Sequence, residues 1–312
     1  MKDLLRTQDL SRDDVELLLE TAAAFAKEPL RSKSALANKS VAIYMTKPST
    51  RTRLSSETAV AHLGGVPIFI RGDELQLGRG ETIADTAKII SGYCSALIIR
   101  TFAQSDVDEL GKHASIPVIN ALTDDDHPTQ LLADWLTIRE NFGKDIAGRK
   151  FVYLGDGNNM SHAWLIMGAI MGAHVVAATP SGKWAPDQKT VEIAKNIAAK
   201  SGGKVEVSHD PEAASKDASV LYTDVWMSMG DSESERDEKV LALSPFAVTE
   251  NLFSLAKKDS IFMHCLPAHR GEEVEASVID GPRSVIWREA YHRRTTIQSL
   301  LFHLTQGDLK GN

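Results

Sequence analysis

Cysteine is scarce in this chain. Among 312 residues only Cys94 and Cys265 occur, so a disulfide framework is excluded and reduced thiols are expected. Long apolar runs are missing too. No stretch approaches the ~18 residues needed to cross a bilayer, and the start, Met1-Lys2-Asp3, lacks the apolar segment of a signal peptide. A cytosolic protein with no membrane contact is expected. Basic charge is in deficit, and a net charge of −7 argues against a general nucleic-acid surface. Neither an internal repeat nor a low-complexity tract is present, and the charge-dense stretch from Asp231 to Lys239 reads as an exposed loop. What remains is 43% apolar and 25% charged, in a chain too long for one modest core, which fits a globular protein of two domains.

Strand-length apolar runs alternate with helical patterns, the signature of parallel sheets built from βαβ units. A first series of strands is read at 41–45, 66–70, 96–100 and 116–120. A second follows at 150–154, 174–178, 204–208, 219–223, 260–264 and 284–287. Between them a long helix carries Leu132, Trp135, Leu136 and Ile138, and a last helix from about 290 to 305 returns to the first domain. The expected fold is α/β, with two doubly wound parallel-sheet domains joined by long helices. Residues 1–140 with the C-terminal helix 290–312 form one domain, and 141–289 the other. Open parallel sheets bind ligands outside the carboxyl ends of their strands. Arg100, the loop 124–130, Asn158-Asn159, Asp224 and His264-Cys265 all fall there, and a crevice between the domains would bring them together.

The segment Ser49-Thr50-Arg51-Thr52-Arg53 joins the strand ending at Met45 to a helix running to about His62. Ser49 is placed to cap that helix, whose free N–H groups and positive dipole end favour an anion. Arg51 adds a fork of donors suited to phosphate. A capped helix with solvated arginines would use the same residue types. Against it, Lys47, Arg51 and Arg53 lie so close that they repel one another unless an anion sits among them.

His127-Pro128-Thr129-Gln130 opens another helix, and His127 either caps it or, with Arg100, stabilises negative charge on a carbonyl oxygen during acyl transfer. Gln130 offers a donor and an acceptor to an amide-like group. Gly155-Asp156-Gly157 after a strand invites a dinucleotide-binding reading. It fails, because Met160 stands where the third glycine belongs and no acid occurs from Gly157 to Pro186 to bind a ribose. The glycines instead form a tight turn presenting Asn158 and Asn159. Cys265 is a buried structural residue, or with Asp224 holds and deprotonates an amine; a role as covalent nucleophile lacks a base, since His264 should point to the opposite face of its strand. A lone cysteine without a Cys-x-x-Cys partner argues against a closed zinc site.

Together these residues resemble the transcarbamylase family, over essentially the whole chain. The family's S-T-R-T-R motif stands at Ser49 to Arg53, its H-P-x-Q at His127 to Gln130, and its arginine after the third strand at Arg100. Features of the ornithine branch appear as Asn159, Asp224, Ser228-Met229-Gly230 and His264-Cys265-Leu266-Pro267. The resemblance implies that Ser49, Thr50, Arg51, Thr52, Arg100 and Arg293 hold the phosphate of carbamoyl phosphate, with Arg100, Thr52 and His127 at its carbonyl oxygen. Gln130 and the backbone around Cys265 and Leu266 would hold the carbamoyl NH₂, within a donor site that also includes Pro128 and Thr129. Asn159, Asp224, Ser228 and Met229 would position L-ornithine, with Cys265 near its side-chain amine. Arg100, His127, Asp224 and Cys265 are then the catalytic set. Gln76 would reach a neighbouring subunit's site in a homotrimer, and neither metal nor organic cofactor is implied. The chain departs from the family at Ser56, where an aromatic is usual, and at Tyr291-His292 before Arg293, where Glu-Asn is usual. Acceptors such as N-acetylornithine, N-succinylornithine or putrescine, a non-catalytic binding subunit, and a nicotinamide-dependent dehydrogenase are the competing readings.

Overall fold

The computed structural model describes residues 1–75, 80–146, 148–227 and 232–312. They divide into two compact units, Met1–Leu136 with Tyr291–Asn312, and Thr137–Ala290. In the first unit the order is α1 (Arg12–Lys27), β1 (Ser40–Met45), α2 (Thr50–His62), β2 (Val66–Arg71), α3 (Ile83–Tyr93), β3 (Ala96–Arg100), α4 (Gln104–His113) and β4 (Val118–Leu122). The helix α5 (Pro128–Phe142) begins there. The strands form a parallel sheet in the order β2-β1-β3-β4. Its interior strands are buried along their length, which is why they read as unbroken apolar runs. Pro67 lies in the edge strand β2, where a missing N–H is tolerated.

The second unit holds β5 (Lys150–Leu154), α6 (Asn159–Ile170), β6 (His174–Ala178), α7 (Gln188–Ser201), β7 (Lys204–Ser208), α8 (Pro211–Ser215), β8 (Val220–Thr223), α9 (Arg236–Leu243), α10 (Glu250–Ser254), β9 (Ile261–His264) and α11 (Ala276–Ile279). The long α12 (Ile286–Gln306) starts in this unit and runs on in the first. The sheet order is β7-β6-β5-β8-β9, again parallel. Nearly every residue of α6 is buried, as a helix apolar on all sides must be. Its Trp164 lies with ring centroid 4.8 Å from that of Tyr222.

Each sheet reverses its winding beside its first strand, between β1 and β3 in one unit and between β5 and β8 in the other. These switch points are where the carboxyl ends of the strands splay and leave room for a ligand. In the first, β1 leads to Ser49 and β3 ends at Arg100; in the second, β5 leads to Asn158 and β8 to Asp224.

Three expectations about elements need correction. The fourth strand starts at Val118 rather than 116, because Pro117 has no N–H to give; its carbonyl still accepts from Leu97 N at 2.8 Å. Residues 284–287 are not a strand. Ser284 makes an isolated bridge to Phe262, and α12 begins at Ile286, four residues before the expected start of the last helix. The charge-dense stretch ends in a helix, α9, in which Lys239 is buried.

Gly168 in α6 faces Val175 so closely that a Cβ would lie 2.1 Å from Val175 Cγ1. Gly168→Ala should therefore lower the urea midpoint, because overpacking of about 1–3 kcal/mol outweighs a helix-propensity gain of about 1 kcal/mol. A raised midpoint would refute the close packing of α6 on β6.

Candidate active site

The Ser49 cluster of the first unit starts from local capping. Ser49 has an extended backbone, and its hydroxyl accepts from Thr52 N at 3.3 Å, which fixes the first turn of α2. The like-charge argument for this cluster is only partly upheld. Lys47 is buried in an ion pair with Asp124, while Arg53 pairs with Glu57 at 3.1 Å and lies over the Phe69 ring at 3.8 Å. Arg51, by contrast, has no carboxylate partner among the described residues.

His127 is buried at the start of α5. Burial first, then the positive charges of Arg293, Arg100 and Arg51, hold its pKa well below the usual imidazole range. The ring is therefore neutral at physiological pH. Its Nδ1 lies 3.4 Å from Thr129 Oγ1.

Arg293 reaches this group from α12 and is 2% exposed. It donates to Gln130 Oε1 at 2.5 Å, to Thr52 Oγ1 at 3.4 Å and to Thr129 Oγ1 at 3.5 Å. Beside it, His292 Nδ1 lies 3.2 Å from Thr295 Oγ1. Gln130 in turn donates to Asp134 Oδ1 at 2.8 Å. Asp134 was not singled out by the sequence, although its spacing of four residues from Gln130 on a helix is the signal for such a pair.

Asp126 was read in the sequence only as part of the loop 124–130, with no role of its own. It is buried, and its carboxylate accepts from Thr7 N at 2.6 Å, Thr7 Oγ1 at 2.7 Å and His127 N at 2.7 Å, so it fastens the chain just before His127.

In the second unit a polar cluster forms around Asp224, just past the end of β8. Cys265 Sγ donates to Asp224 Oδ1 at 2.9 Å, Val225 N to the same oxygen at 2.8 Å, and Asn158 Nδ2 to Asp224 Oδ2 at 3.4 Å. Asn158 also caps α6, accepting from Met160 N at 2.9 Å and Ser161 N at 3.2 Å, which places Asn159 as the first helical residue. Tyr153 OH donates to Asn158 Oδ1 at 3.2 Å. Burial, then the negative charges of Asp224 and Asp156, push that phenol well above its usual range and keep it a donor.

His264 does not stand apart from Cys265 as expected. One of its ring nitrogens, Cys265 Sγ and a carboxylate oxygen of Asp224 lie within 4.8 Å of one another. It is nonetheless no base for the thiol. Nδ1 accepts from Leu266 N at 2.8 Å, so the proton is on Nε2, 3.3 Å from Glu273 Oε1. A ring with that lone pair committed is also a poor metal ligand. Glu289, buried in α12, accepts from His264 N at 3.0 Å; neither glutamate carried a signal in the sequence. Leu266 has a positive φ of 59°, which turns the chain immediately after Cys265. Gln76, Ser228 and Met229 lie outside the described residues.

A cationic anion site around a neutral imidazole on one sheet, and a carboxylate–thiol pair suited to an amine on another, belong to an enzyme that transfers an acyl group from an anionic donor. Comparison with known proteins narrows the class to carbamoyltransferases. Residues 2–140 match the carbamoyl-P binding domain model of aspartate/ornithine carbamoyltransferase, and residues 147–304 match its Asp/Orn binding domain model. An ornithine carbamoyltransferase of Pyrococcus horikoshii is 49% identical over 98% of this chain and 96% of its own length. An anabolic ornithine carbamoyltransferase of Pyrococcus furiosus is 48% identical over 99% of this chain and 98% of its own. Among solved structures, the P. furiosus ornithine carbamoyltransferase superposes with a TM-score of 0.92 at 47% identity, covering 99% of this chain and 98% of that one. The anabolic enzyme of Campylobacter jejuni gives 0.91 at 36% identity, covering 98% and 100%. The chain belongs to the aspartate/ornithine carbamoyltransferase family.

Burial pushes the Asp126 carboxyl up from 3.8 to about 6. The folded state thus holds this proton more tightly than the unfolded chain, and the associated stability is full below 3.8 and lost as pH rises through about 6. Comparing Asp126→Asn with the parent by urea unfolding at several pH values should show the parent losing about 3 kcal/mol more across that window. A difference that stays constant with pH would overturn the shifted titration.

Proposed function

We propose that this enzyme moves the carbamoyl group of carbamoyl phosphate to the side-chain amine of L-ornithine, giving L-citrulline and phosphate. The observation that carries the reading is buried Arg293 held among Gln130, Thr52 and Thr129, in the same unit as a buried His127 that burial and the charges of Arg293, Arg100 and Arg51 keep neutral. Three cations suit a dianionic donor, and a neutral imidazole can donate to a carbonyl oxygen as that oxygen gains charge.

In this reading Ser49, Thr50, Arg51, Thr52, Arg100 and Arg293 bind the phosphate, while Arg100, Thr52 and His127 polarise the carbonyl. Pro128 and Thr129 shape the same helix start. Gln130, with the backbone of Cys265 and Leu266, binds the carbamoyl NH₂, which requires the Gln130 amide to exchange part of its present bonding to Arg293 and Asp134. Asn159, Asp224, Ser228 and Met229 position ornithine, and Asp224 and Cys265 receive its ammonium group. Neutralising an alkylammonium of pKa ~10.4 at pH 7 costs about 4–5 kcal/mol; desolvation on entering the site lowers that cost by disfavouring the charged amine, and the Asp224 carboxylate is the group placed to take the proton. The amine nitrogen then bonds to the carbonyl carbon, the carbon–oxygen bond to phosphate breaks with its electron pair on the leaving phosphate, and the proton shed by the attacking nitrogen goes to a phosphate oxygen, leaving a neutral ureido group. The phosphate already activates the carbonyl, so the reaction needs no metal or organic cofactor, only positioning and charge stabilisation.

We further propose that residues 1–140 with 290–312 serve carbamoyl phosphate and 141–289 serve ornithine. The assembly is a homotrimer in which Gln76 completes a neighbouring donor site, working in the cytosol. Among the described residues no helix is long and apolar enough to cross a membrane.

An acceptor panel with carbamoyl phosphate, scored for ureido product, tests the assignment. Ornithine should give the highest kcat/KM; faster transfer to N-acetylornithine, N-succinylornithine or putrescine would move the specificity there. Arg51→Ala should cut turnover by about 10²-fold or more with circular dichroism unchanged, and near-normal kinetics would refute the anion site. Asp224→Ala should chiefly damage use of ornithine, leaving KM for carbamoyl phosphate within about twofold of the parent.

A further inference from the structure

Lys239 lies in α9, with its side chain 4% exposed and its Nζ 2.7 Å from Asp156 Oδ2, itself 10% exposed. Hiding two charges costs hydration that their attraction recovers only in part, so stability is a weak reason for such a pair. Its location supplies a stronger one. Asp156 belongs to the turn Gly155-Asp156-Gly157-Asn158 that leaves β5 at the switch point, and Asn158, two residues on, hydrogen-bonds Asp224.

The turn is held tightly from the other side. Gly157 N donates to Trp184 O at 2.9 Å, and a Cβ on Gly157 would lie 2.2 Å from the carbonyl carbon of Ala185. The Trp184 ring centroid is 5.1 Å from Lys239 Nζ and 4.6 Å from Lys183 Nζ, and Lys183 pairs with Glu238 of α9 at 2.8 Å. The segment after β6, the turn after β5 and α9 thus meet around one buried ion pair.

We propose that Lys239 is a positioning residue for the acceptor. Its ion pair with Asp156 sets the 155–158 turn, and through Asn158 it orients the Asp224 carboxylate that Cys265 also contacts. The inference rests on the assignment of Asp224 to the ornithine amine. Neither Lys239 nor Asp156 touches substrate in it.

Initial rates at varied ornithine and carbamoyl phosphate test it on the intact enzyme. Lys239→Met and Asp156→Asn should each raise KM for ornithine about tenfold, with KM for carbamoyl phosphate within about twofold. The double variant, which leaves no lone buried charge should either single fail to fold, should be no worse than a single one, because both remove the same interaction. Lys239→Arg should recover most of the ornithine affinity. Lowered thermal midpoints with both KM values unchanged would overturn the proposal and leave the pair a brace. Citrulline formation by the parent enzyme is the control that separates a failure of this inference from a failure of the assigned reaction.

Discussion

Gathering cations out of water is the constraint on which the first unit depends. Arg100 and Arg293 are 7% and 2% exposed, and both act on the same imidazole as Arg51. Dipoles already in place moderate this concentration of charge: the oxygens of Gln130, Thr52 and Thr129 face Arg293. A fold that spends stability in this way is set up for a ligand that returns it, since a dianion entering the cluster gains from every charge at once. Burial and the same charges together keep His127 unprotonated.

The second unit solves the complementary problem with negative charge. Asp224 receives donors from Cys265, Val225 and Asn158, and Tyr153 is locked as a donor behind them. Both units use the same device. A parallel sheet that reverses its winding beside its first strand opens a gap at the strand ends, and in each unit the helix that starts there is capped by a side chain from that gap, Ser49 in one and Asn158 in the other. Both caps answer the same need, the unpaired N–H groups at a helix start.

Much of this could be read in the sequence where one local rule acts alone. The helix from Thr50 to His62 is bounded by a serine cap and a glycine pair, and the strands at 96–100, 150–154, 174–178 and 204–208 are short β-branched or apolar runs with nothing to compete. The reading failed where two rules met. Residues 284–287 have the apolar character of a strand, but β9 is bridged there at Ser284 alone and a helix starts two residues later. Charge density suggested an exposed loop at 231–239, yet Lys239 turns inward to a carboxylate far away in sequence, a pairing that no local pattern encodes. For the same reason Asp126 was given no role of its own, and Glu273 and Glu289 went unnoticed. They act on backbone N–H groups or rings brought near by the fold, and backbone donors leave no mark on side-chain sequence.

Arg53 was read as part of the anion motif, and its actual position has a consequence for solubility. The strand β2 is an open sheet margin with Val66 and Ile68 exposed, the kind of ribbon onto which a stray chain can zip. Stacked over Phe69 and tied to Glu57, the Arg53 guanidinium lays a charged cover on that ribbon, while Pro67 withholds one rung of hydrogen bonding. A charge beside an exposed apolar margin disfavours strand-on-strand association, a use of this arginine that lies at the surface.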